Sequence, residues 1–150
     1  MSSALLQRLA AVLTPVGGVV EEADDALTVT VAGSVASLRV VALAEGLEMV
    51  SLTQPLAWDL PLTAKTRERV AAHASATLLG TVALVEKPVS VPTNGASAQA
   101  ATRKSSAKKV ADVMLRYNFP CAGLTDDALR TLILLVLAGG ADVRAALLAN

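Results

Sequence analysis

Aromatic side chains are scarce in this 150-residue chain: Trp58, Tyr117 and Phe119 are its only tryptophan, tyrosine and phenylalanine. A core therefore has to be filled by leucine, valine and alanine, and a run of stacking rings for unpaired bases is missing. The single cysteine, Cys121, rules out an internal disulfide and a thiol-rich metal site. With His73 the only histidine, zinc is short of its usual donors, and no metal or cofactor is expected. Neither sign of charge dominates, since Lys+Arg and Asp+Glu both number 13. That balance gives no global pull towards nucleic acid or membrane. The longest unbroken apolar run, Leu132 to Ala138, falls far short of the roughly 18–20 residues of a spanning helix. Residues 2–12 lack a basic leader and read as an amphipathic helix, which makes the cytoplasm the expected location.

What is present is apolar and aliphatic. Hydrophobic residues make up 53% of the chain against 17% charged, which in one reading leaves apolar surface over for an interface and in the other reflects high alanine content alone. Charge is also unevenly placed. Residues 1–61 carry seven acidic and two basic side chains, and residues 62–150 carry six acidic and eleven basic. One domain spanning 1–150 accommodates this length.

The pattern predicts elements in the order α-β-β-β-α-β-β-α with a short helical tail, an α+β fold with helices packed on a single antiparallel sheet. Ser2 or Ser3 caps a first helix with Leu5, Leu6, Leu9, Val12 and Leu13 on one face, ended by Pro15 and Gly17-Gly18. Glu21 to Asp25 reads as an acidic turn. Three strands follow, with Leu27, Val29 and Val31 alternating in the first, then Leu38 to Leu43, then Leu47 to Leu52. Their short connections imply an antiparallel meander. Pro55 and Pro61 mark Gln54 to Pro61 as a packed connection outside the ladder. A second helix is expected from Thr63 to about Leu79 and a strand over Thr81 to Lys87, followed by a mobile loop at 89–109. A strand over Val110 to Tyr117 leads to a helix capped by Thr125, with Asp126 and Asp127 at its positive end and Gly139-Gly140 as its stop. A last short helix covers Asp142 to Ala149.

No reaction is legible. His73 and Cys121 read as structural, because a nucleophilic pair needs mutual contact and an orienting group that spacing alone does not supply. Glu21-Glu22, Asp24-Asp25 and Asp126-Asp127 suit turns and a helix cap better than acid–base work. Ser105 and Ser106, each three residues before a lysine, fall among small polar residues and read as coincidence. Arg103, Lys104, Lys108 and Lys109 form the one basic cluster, a solvated loop in the plain reading and a phosphate contact in the alternative one. Trp58 suits a binding hot spot, or a plug that closes one end of the core, with the plug preferred.

Leu47-Glu48-Met49-Val50-Ser51-Leu52 followed by Leu56-Ala57-Trp58-Asp59-Leu60-Pro61 resembles a strand and the approach to the second helix in the YbjN-like proteins and type III secretion chaperones. Asp112 to Tyr117 and Gly123 to Leu129 resemble the last strand and closing helix of that group. The resemblance implies a non-enzymatic homodimer that holds a segment of a partner protein. Met49, Leu52, Leu56 and Trp58 are then the expected partner-binding residues. Val70, Ala74, Leu78 and Val82, along the second helix and the strand after it, are the expected dimer interface. The runner-up is a nucleic-acid accessory protein acting through residues 103–109.

Overall fold

A computed structural model describes residues 3–22, 25–88 and 109–149. Its elements are α1 (Ala4–Leu13), β1 (Gly18–Glu22), β2 (Ala26–Val31), β3 (Ser34–Ala44), β4 (Leu47–Pro61), α2 (Ala64–Ala76), β5 (Thr81–Pro88), β6 (Lys109–Pro120) and α3 (Asp126–Leu148). The strands form one antiparallel sheet in the order β1-β2-β3-β4-β6-β5. The fold is α+β, as the pattern implies, with one more strand than expected.

Alternation decides which face is covered. Leu27 pairs with Leu38, Leu38 with Leu52 and Leu52 with Tyr117, a row of apolar side chains crossing four strands. One residue along, Thr28, Ser37, Thr53, Arg116 and Thr81 form a polar row on the opposite face. Side chains of a strand point alternately to the two faces, so the apolar row seats the helices and the polar row meets solvent. All three helices lie over the apolar face, with α3 on β3 and β4 between α1 and α2. Two arginines tie α1 to α3: Arg8 Nε donates to Asp126 Oδ1 at 2.7 Å and Arg130 Nε to the Val12 carbonyl at 2.9 Å.

Helix starts follow their caps. The Ser3, Thr63 and Thr125 hydroxyls accept the Leu6, Thr66 and Ala128 amides at 3.0, 3.1 and 3.0 Å, satisfying donors that have no partner inside a helix.

Other boundaries correct the sequence reading. The expected acidic turn is partly strand: β1 runs through Glu21 and Glu22, which an edge tolerates because both stay exposed. Gln54 to Pro61 is no separate connection. β4 continues through it, and Pro55 is accommodated because the ladder slips between Pro55 and Ala57 and again before Leu60. β6 extends to Pro120, and α2 stops at Ala76.

The largest correction concerns α3, which runs unbroken through Gly139-Gly140 and absorbs the expected tail helix. Glycine stops a helix when it takes a left-handed conformation, and neither residue does so here. Gly140 instead permits a close approach. Gln54, on β4, is buried and its Nε2 donates to the Leu137 carbonyl at 3.3 Å. A Cβ at position 140 would run into Gln54 Oε1. As one helix, α3 is long and apolar enough to cross a membrane by length and composition. Leu129, Ile133, Val136, Leu137, Val143 and Leu147 pack into the core, and about a third of the helix's most apolar stretch is buried.

Candidate functional site

Leu52 and Leu56, two of the expected partner-binding residues, are fully buried beneath the helices. Alternation puts them on the covered face of β4, so they present nothing to a partner. Met49 is half-buried on the bare face, paired with Val41 and Pro120. Trp58 is 59% exposed and does not plug the core. The slips in the β4–β6 ladder turn it outward, where Lys87 Nζ lies 5.9 Å from the ring centroid. Half-buried Pro55 and Met114 stand opposite one another on the same face, with exposed Val85 nearby on β5.

The slip that frees Trp58 also leaves a backbone amide to satisfy. Asp59 sits at φ 56°, a conformation aspartate tolerates better than most residues, and its N–H donates to Asp112 Oδ1 at 3.0 Å. Lys87 Nζ closes the cluster at 2.9 Å from Asp112 Oδ1 and 2.7 Å from Asp59 Oδ1. Burial pushes the Asp112 carboxyl upward, but the Asp59 amide and the Lys87 ammonium outweigh it and hold it below the ordinary carboxylate value. Hydrogen bonds to Asp59 and Asp112 raise Lys87 above the ordinary lysine value. The cluster fixes the geometry around Trp58.

Of the expected dimer residues, Val70 and Val82 are buried between α2 and β5, and Ala74 packs half-buried against the core. They attach α2 to its own sheet. Leu78 differs. At 91% exposed it is the most exposed of the large apolar side chains in the described residues, standing where the chain leaves α2 for β5. It forms part of the wall of an apolar groove of about 330 Å³ between α2 and α3, lined also by His73, Ala76, Leu79, Leu135, Gly139 and Val143. Leu135, exposed on α3, was missed in the sequence because an all-apolar helix does not declare which side is left over.

The sheet ends in two different edges. β1 is five residues long and carries Glu21 and Glu22. β5 is eight residues long, and among the described residues no strand pairs with its far side. Its charged residues are already engaged, Glu86 with Arg67 at 3.1 Å and Lys87 with the two aspartates. Short, charged edge strands resist pairing, while longer apolar ones invite it.

His73 and Cys121 are not brought together. His73 lines the α2–α3 groove, whereas Cys121 lines a separate recess with Leu5, Arg8, Gly46, Glu48 and Ala122. Burial pushes the Cys121 thiol up, away from the reactive thiolate. Among the described residues no three His, Cys, Asp or Glu side chains gather as a metal ion requires. Arg103, Lys104 and Lys108, with the rest of the expected loop up to residue 108, lie outside the described residues. Lys109 is exposed at the start of β6, opposite Pro88.

Set against family models, curated proteins and solved structures, the chain matches none.

Proposed function

We propose that this chain is a chaperone-like protein-binding module that pairs with a second copy of itself along the β5–α2 side and offers the Trp58 face of its sheet to a segment of a partner protein. The observation that carries the reading is Leu78, nine-tenths exposed on the wall of an apolar groove, at the edge strand that no free charge protects. A two-fold axis near β5 would set the Leu78 of each copy against the α2–α3 groove of the other, a self-complementary arrangement of knob and hole. Exposed small residues on α2, Ala71, Ala72, Ser75 and Ala76, would let the facing backbone come close. Trp58 remains outside that contact with Pro55, Met114 and Val85 around it, the large rigid apolar anchor that dominates binding energy at protein interfaces.

The test is mass in solution by size-exclusion chromatography with light scattering. The wild-type chain is expected to run as a dimer at micromolar concentration and Leu78→Asp as a monomer with an unchanged far-ultraviolet spectrum. A wild-type monomer, or a Leu78→Asp dimer, overturns the pairing.

A further inference from the structure

β6 outruns the strand beside it. β5 pairs with it from Thr81 opposite Arg116 to Pro88 opposite Lys109, whereas β4 stays alongside as far as Pro120. Tyr117 to Pro120 thus has a strand on one side only among the described residues. The gap is a recess of about 450 Å³ lined by Gly80, Thr81, Arg116, Tyr117 and Asn118. Arg116 and Asn118 project from the bare face and Tyr117 from the covered one. Alternate residues of one strand can line a single recess only where the sheet edge is open. Gly80 lets the incoming chain press against β6 at this point: it has φ +89°, and a Cβ on it would stand 2.9 Å from the Arg116 carbonyl oxygen.

The chemistry of the recess is specific. One side of the β6 backbone offers donors and acceptors with no neighbouring strand to take them. Towards the bare face stand an exposed guanidinium, an amide and a hydroxyl, and Arg116 forms no ion pair with another described residue. Towards the helices stands the Tyr117 ring, stacked on Phe119 with centroids 5.1 Å apart. A strand laid here would have one set of side chains facing a cation and the alternate set facing an aromatic wall.

We propose that this notch receives an extended segment of a partner protein with alternating acidic and apolar side chains. The segment adds to β6 as a short strand in the lane β5 vacates, with a glutamate or aspartate held by Arg116 and an apolar side chain against Tyr117. Backbone pairing supplies affinity in such strand addition and the alternate side chains supply selectivity. The guanidinium fork matches a carboxylate in two parallel hydrogen bonds. The inference rests on the protein-binding reading but not on self-pairing, because a second copy along β5 lies beside that strand and leaves its lane open.

The probe is a peptide, fluoresceinyl-Gly-Val-Glu-Val-Glu-Val-amide, labelled on its N-terminal amine, titrated with the full chain and followed by anisotropy at low salt. Saturable binding is expected, weakened about tenfold or more by Arg116→Glu and by glutamine in place of the peptide's glutamates, the loss of one charge-assisted contact. Arg116 is exposed, so its variant should keep the wild-type far-ultraviolet spectrum; Asn118→Ala gives a second, milder loss. No saturable binding, or equal binding by Arg116→Glu or by the glutamine peptide, overturns the notch. Binding that survives Arg116→Glu and vanishes with Leu78→Asp places the peptide in the helix groove, which overturns the notch and leaves the protein-binding reading standing.

Discussion

Gly139 and Gly140 are neighbours in one helix and are expected to respond in opposite directions to alanine. Nothing lies within 4 Å of a Cβ added at Gly139, whereas one at Gly140 meets the Gln54 amide. Gly139→Ala should gain the helix-propensity difference, about 0.5–1 kcal/mol. Gly140→Ala should lose about 1–3 kcal/mol as an overpacked core position, with Gln54 forced off its Leu137 bond. Urea unfolding of the two variants checks both signs. The Asp59–Lys87–Asp112 cluster sets a pH dependence at the same scale. The folded carboxyl of Asp112 lies below its ordinary value, so its stabilisation is present above the ordinary carboxylate range and is lost as pH falls through the folded value. Lys87, raised, contributes below the ordinary lysine value and loses that contribution as pH climbs through the folded one. Asp112→Asn should flatten the acid limb of a stability–pH curve measured by denaturant unfolding; an unaltered limb would show that the cluster does not carry it.

Elements were legible where local chemistry decides them and obscure where packing does. Ser3, Thr63 and Thr125 announce their helices because capping needs only a hydroxyl and a free amide. Leu27 and Val29 announce β2 because alternation on a half-covered strand is a local pattern. Gln54 to Pro61 reads as a break because two prolines oppose a ladder, yet β4 continues there by slipping its register, a tertiary solution. Gly139-Gly140 reads as a stop because nothing in the sequence reveals that Gln54 lies against the helix. The candidate surface follows the same division. Leu78 stands at the surface, while Leu52, Leu56, Val70 and Val82 are buried, and apolar character alone does not distinguish a core from an interface. Trp58 provides the element-scale test, as the chain's only tryptophan. Its emission is expected at the solvent-exposed, red end and open to quenching by acrylamide, with a blue shift when a partner covers it. A blue, protected emission from the free chain would return it to the core-plug role.

For the whole molecule, the two edges of the sheet differ. One finishes in a short strand bearing Glu21 and Glu22, and the other in a longer strand flanked by Leu78 and the α2–α3 groove. The basic excess of residues 62–150 falls mostly on Arg103, Lys104 and Lys108, outside the described residues, while β5, β6, α2 and α3 carry eight basic and six acidic side chains. Self-pairing at the β5 edge buries apolar surface, and the charges of β5 are already paired within the chain, so association is expected to change little with salt. The deciding measurement is sedimentation equilibrium of the wild-type chain across the micromolar range. A single association from monomer to closed dimer, little changed by salt, is the result expected. A monomer mass at every concentration, or growth past the dimer into open-ended species, would contradict pairing through Leu78 and the β5 edge.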